Sequence, residues 1–165
     1  MKVLAIDAST KSTGVALFED TKLIKYDCLT ASSTDLIKRI QKIIHQLKVF
    51  IDGEKIDKII LEEVRPENGI QNIKTHRALM WLQAAIAFLL HEIQPKAEIE
   101  YVYPSEWRAK CGIKNGRGIR REDSKLLDIK FCKEMYSIDV NDDIADAIGI
   151  GHAYVNQLNN ELNWE

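Results

Sequence analysis

Lys2-Val3-Leu4-Ala5-Ile6-Asp7 leads at once into Ala8-Ser9-Thr10-Lys11-Ser12-Thr13-Gly14. An aliphatic run ends in a carboxylate, a polar turn follows, and a second apolar run, Val15-Ala16-Leu17-Phe18, begins after Gly14. Two such runs around a polar turn predict a hairpin. Asp is a poor strand former, and burying its charge is costly unless something pairs with it. Taken alone, Asp7 reads as a turn cap. It gains weight from three further carboxylates placed later in the chain.

Composition sets the outer bounds. A chain of 165 residues suits a single domain over 1–165 and can bury a real core. Hydrophobic residues at 45% and charged residues at 29% are ordinary for a globular protein. No signal peptide is read at the start, and no apolar run approaches membrane-spanning length. Cys28, Cys111 and Cys132 are odd in number and lack metal-ligand spacing, so they read as reduced thiols. The expectation is a cytosolic protein with no membrane partner. A formal charge of −2 does not advertise nucleic-acid binding, but the distribution of charge does.

Val3 to Ile6, Val15 to Phe18 and Leu23 to Thr30 predict three strands in an antiparallel meander. From Leu36 the apolar positions Ile37, Ile40, Ile43, Ile44 and Leu47 follow helical spacing, with Lys38, Arg39, Lys42 and Lys48 on the opposite face. Ile56 to Val64 carries the run Ile59-Ile60-Leu61, as in a strand buried on both faces, and it too ends in acid. A strand that follows a helix and ends like the first predicts two parallel neighbours with Asp7 and Glu62 side by side. Alternation lets only one of Glu62 and Glu63 face that place. Ile70 to Ile93 predicts a long helix, apolar around most of its late circumference, covered by a neighbouring helix or by a second subunit. Ile99 to Tyr103 predicts a fifth strand, and Ser105 a helix N-cap. Trp107 reads as a packing residue.

Between Arg108 and Lys133 nine basic residues stand against three acids, on a Gly-broken segment. Such a segment suits phosphate contact, which positions nucleic acid without reading its sequence; a solvated loop and helix face is the plainer alternative. The last helix begins near Asn141-Asp142-Asp143. Asp143 and Asp146 share a face of its first turns, and Ala145, Ala147, Gly149 and Gly151 let it lie close to the sheet. Capping explains Asp142 and Asp143 but not Asp146. His152 falls on another face and reads as structural. Four carboxylates, Asp7, Glu62, Asp143 and Asp146, thus share one predicted locale. Like charges so gathered repel unless cations neutralise them, and hard divalent cations take oxygen ligands.

These residues carry a resemblance. Leu4-Ala5-Ile6-Asp7 with Gly14, Leu61-Glu62-Glu63-Val64, and Asp143-Ile144-Ala145-Asp146-Ala147 resemble, in order and spacing, the three acidic motifs of RuvC-like Holliday-junction resolvases of the ribonuclease H-like superfamily. The resemblance implies an α/β, ribonuclease H-like fold, with a central mixed five-stranded sheet flanked by helices. It implies a homodimer that nicks four-way DNA junctions, with Asp7, Glu62, Asp143 and Asp146 as catalytic and metal-binding residues. Two Mg²⁺ per site, or Mn²⁺ in their place, would serve hydrolysis leaving a 5′-phosphate. Lys114, Arg117, Arg120, Arg121 and Lys125 fall where the family contacts phosphates. Arg65, in Arg65-Pro66-Glu67, stands where relatives place an aromatic that probes the junction. A flap- or fork-specific endonuclease and a branched-DNA binding module are the alternatives. The start of the chain is also similar to the phosphate loop of actin-like and sugar-kinase ATPases, which need two lobes and more chain.

Overall fold

In the computed structural model, which describes residues 1–64 and 73–162 with side chains as far as Gln157, the elements run as follows. They are β1 (Lys2–Asp7), β2 (Ser12–Glu19), β3 (Lys22–Thr30), α1 (Leu36–Phe50), β4 (Lys58–Glu62), α2 (Ile73–Ile93), β5 (Glu98–Val102), α3 (Pro104–Lys110), α4 (Arg121–Tyr136) and α5 (Asp142–Leu162). The five strands form one mixed sheet in the order β3-β2-β1-β4-β5. β1, β2 and β3 form the antiparallel meander, and β1, β4 and β5 pair in parallel. The α/β expectation, five-stranded and mixed, holds.

Alternation along β1 and β4 sends side chains to two separate cores. Leu4, Ile6, Ile59 and Leu61 meet Ile43, Leu47, Leu82 and Ile86 of α1 and α2. Val3, Ala5 and Ile60 meet Trp107, Phe131, Ala145 and Ile148 of α3, α4 and α5. Asp7 has the parity of Val3 and Ala5, and Glu62 that of Ile60, so both acids lie on the α5 face. Each buried aliphatic side chain contributes about 1.5–3 kcal/mol, enough to hold β1 and β4 rigid up to their acidic ends.

α5 lies unusually close to the sheet. A Cβ at Gly14 would stand 1.8 Å from the Asp143 carbonyl oxygen; one at Gly149 would meet the Trp107 ring at 2.4 Å, and one at Gly151 the Phe18 ring at 2.2 Å. Asn141 caps the helix, its side chain accepting the Ile144 N–H at 2.9 Å. His152 is buried against Phe131 and bonds Tyr136 Oη at 2.6 Å and Asn156, a structural role.

Three expectations need correction. α3 starts at Pro104, so Tyr103 rather than Ser105 is its N-cap. Proline needs no N–H at the first helical position, and Glu106 reaches back to accept the Tyr103 N–H at 2.9 Å. β4 is confined to Lys58–Glu62, and β5 ends at Val102. The charge run conceals α4, whose pattern is mixed: Leu126 and Met135 are exposed, while Asp128 is buried along with Phe131 and Cys132. The sequence left open what covers α2. Leu82, Gln83, Ile86 and Leu90 are buried within the chain, whereas Trp81 at 48% and Phe88 at 78% remain exposed. The predicted helical turn from Ile70 and the loop bearing Arg65 lie outside the described residues.

Gly14→Ala is expected to lower stability by at least about 1–3 kcal/mol, the cost of overpacking, because the obstruction is backbone rather than a movable side chain. Denaturant unfolding of the variant beside the wild type measures it.

Candidate active site

Asp7 ends β1, Glu62 ends β4, and Asp143 and Asp146 stand on the first turns of α5. All four line one cavity of about 650 Å³ at the carboxyl edge of the parallel strands. β1 and β4 pair as far as Ile6 and Leu61, which brings the next residues, Asp7 and Glu62, abreast. Ligand sites in open α/β sheets collect at this edge.

Glu62 and Asp143 are each held by hydrogen-bond partners. The Trp107 Nε1–H donates to Glu62 Oε2 at 2.8 Å, and the buried Gln83 Nε2–H donates to the Glu62 carbonyl at 2.7 Å. Ser12 Oγ donates to Asp143 Oδ2, with Cys28 Sγ 3.1 Å from the same hydroxyl. Arg108 makes a two-pronged contact with the fully buried Asp128, at 2.8–3.1 Å, and reaches Asp146 Oδ1 at 3.5 Å. That distance is too long for a good hydrogen bond, and Asp146 Oδ1 is a buried atom left without one.

Charge crowding shows in the carboxyl acidities. Burial, then the charges of Glu62 and Asp143, raises the Asp7 carboxyl well above the ordinary carboxylate range. Burial also raises Glu62, against the opposing pull of the Trp107 hydrogen bond and Arg108. Asp146 is pushed up to about 10 by burial and by the Asp7 and Asp128 charges. Among the described residues no three His, Cys, Asp or Glu side chains converge closely enough to form a ready-made metal cage. The donor set is nonetheless all oxygen, crowded, anionic and short of one hydrogen bond, which fits a hard divalent cation.

The basic segment disperses on folding. Arg121 and Lys125 line the cavity, Lys125 paired with Asp142. That pair lifts the lysine and lowers the Asp142 carboxyl. Lys114, Arg117 and Arg120 do not line the cavity; they are exposed, and Arg120 pairs with Asp123 at 2.8 Å. Arg108 turns inward, and Lys130 and Lys133 pair with Glu134 and Asp139. The sequence missed Ser12, Gln83, Arg108 and Asp128 as supports of the acids, and Lys11, Arg39 and Lys74 as cavity residues. Trp107 packs as expected, 1% exposed, but its indole also orients Glu62.

The Asp146 value of about 10 lies above the unfolded one, about 3.9. The folded chain therefore binds that proton more tightly. The resulting stability is fully present below the unfolded value and is lost as pH rises through the folded one. In EDTA, the melting temperature is expected to fall from pH 5 to pH 8.5. Asp146→Asn flattens that slope and is more stable than wild type at pH 8.5 by about 1–3 kcal/mol, the cost of a buried polar group left unsatisfied. Circular dichroism melts at several pH values check both.

No protein-family model and no curated protein matches this sequence. Solved structures do match its fold. Thermus thermophilus RuvC in complex with a Holliday junction substrate aligns over 96% of this chain and 95% of its own, at TM-score 0.73 and 13% identity. The yeast mitochondrial Holliday junction resolvase aligns over 98% and 82%, at 0.57 and 18%. The fowlpox virus resolvase, solved with Holliday junction DNA, aligns over 96% and 99%, at 0.56 and 16%. The chain has the ribonuclease H-like fold of RuvC and other Holliday junction resolvases.

Proposed function

We propose that this protein is a metal-dependent endonuclease that resolves four-way DNA junctions by paired phosphodiester hydrolysis, acting as a homodimer. The observation that carries the proposal is the convergence of Asp7, Glu62, Asp143 and Asp146, from three separate segments, on one cavity that also holds Arg121 and Lys125. The resolvase neighbours, two of them solved with junction DNA, support the choice of substrate.

The four carboxylates would hold the divalent cations, Mg²⁺ by preference. Such cations, when bound, make water acidic enough to act as a nucleophile near neutral pH and take up charge on the leaving oxygen. The chain's own groups do the rest. Trp107 fixes the Glu62 carboxylate, Ser12 fixes that of Asp143, and Arg108 keeps the Asp128 charge from facing Asp146 unopposed. Arg121 and Lys125 give the cavity positive groups for phosphate oxygens. The thiols of Cys111 and Cys132 are pushed up to about 12 by burial, so neither supplies a thiolate nucleophile near neutral pH. Water is the nucleophile in this proposal.

The exposed apolar face of α2 supports the dimer. Trp81 and Phe88 lie seven positions apart, two turns along one helix face, and aromatic residues are enriched at interface cores.

Labelled synthetic four-way junctions, linear duplexes and flaps incubated with Mg²⁺ test the proposal. Wild type is expected to place symmetric nicks in the junction. Asp146→Asn is expected to slow them by about 100-fold or more, the scale of losing one group that stabilises the transition state, while still binding. Preference for flaps or forks would change the substrate. Tight binding without cleavage in wild type would make the protein a binding module.

A further inference from the structure

The wall of the cavity opposite α4 carries positive charge that the catalytic acids do not neutralise. Lys11, from the turn after β1, Arg39, from α1, and Lys74, from the start of α2, all line it. β3 runs parallel to β1 and ends at the same sheet edge as the acids, so α1 begins there and Arg39 falls beside the cavity.

Arg39 is poorly served by its own surroundings. It lies in the first turns of α1, where the helix dipole disfavours a cation, and that first turn holds no acid. The Asp35 carboxylate is spent on the Ile37 and Lys38 N–H groups. One guanidinium nitrogen, Nη1, donates to the Ser33 carbonyl at 2.6 Å, which fixes the side chain in place. Nε is buried without a hydrogen-bond partner. Among the described residues Arg39 makes no ion pair, unlike Arg108, Arg120 and Lys125. A buried donor left unmade is costly, and a fixed guanidinium presents a fork matched to phosphate.

We propose that Arg39, assisted by Lys74, binds a backbone phosphate of the DNA strand next to the one being cut. The strand then runs between two basic walls, Arg39 and Lys74 on one side and Arg121 and Lys125 on the other, over a floor of carboxylates. This inference rests on the endonuclease reading above. It assigns to Arg39 a role that its place on a solvated helix face in the sequence does not foretell.

The test is the salt dependence of binding to a labelled four-way junction, measured in EDTA with full-length protein. Each phosphate contact contributes about 0.9 to the slope of log affinity against log salt. Arg39→Gln is expected to lower that slope by about one and to weaken binding about tenfold at physiological salt, with little sequence preference in the loss. Arg39→Lys is expected to keep most of the slope, and Lys74→Gln to lower it in turn. Lys96→Gln, at an exposed position in the turn after α2, is expected to match wild type. Should Arg39→Gln melt early, Lys74→Gln and Arg39→Lys decide. Wild-type slopes in Arg39→Gln and Lys74→Gln, with junction cleavage by wild type intact, would overturn the phosphate contact alone. Failure of wild type to bind branched DNA would overturn the endonuclease reading and this inference together.

Discussion

Mutual repulsion among carboxylates at the end of a buried sheet is the constraint around which this molecule is built. β1 and β4 are each apolar between a first lysine and a last acid, so the cores that hold them also force Asp7 and Glu62 together. α5 then brings two more acids against them. It can do so only because Gly14 admits the Asp143 backbone, while Gly149 and Gly151 admit the rings of Trp107 and Phe18. Packing elsewhere supplies the stability with which this cluster is kept in place, a pattern expected where a site is strained for use.

The supports of the cluster share a logic. Neutral donors, Trp107 and Ser12, take one oxygen each from Glu62 and Asp143. The one cation that reaches the cluster from within, Arg108, is committed to buried Asp128 and only grazes Asp146. A closer pairing of Arg108 with Asp146 would quench the charge that the proposed divalent cation would need. Around the rim the cations are of two kinds. Lys125 is paired with Asp142, whereas Arg39 stands without a carboxylate among the described residues.

Much of this was legible in the sequence, for definite reasons. Strand runs ending in acid, the turn at Gly14 and the small residues of the last helix are local patterns, and they foretold the mixed sheet and the edge where the four acids meet. What escaped was held by contacts distant in sequence. Nothing near Arg108 announces Asp128, twenty residues on, and α4 hides its polar core residue behind exposed Leu126 and Met135. The charge run from Arg108 to Lys133 looked like one basic surface. Folding pairs several of its members or turns them inward, and brings Lys11, Arg39 and Lys74 to the cavity from segments that carried no such signal.

The central claim is that the acid cluster exists to take up divalent cations. Calorimetric titration of the metal-free protein with Mg²⁺, run in two buffers of different ionisation enthalpy near neutral pH, addresses it most directly. Saturable binding with release of protons is expected, because the Asp146 carboxyl, pushed up to about 10, must give up its proton to become a ligand, and Asp7→Asn is expected to abolish the binding. Absence of binding by the wild type, or binding indifferent to Asp7, would contradict the claim.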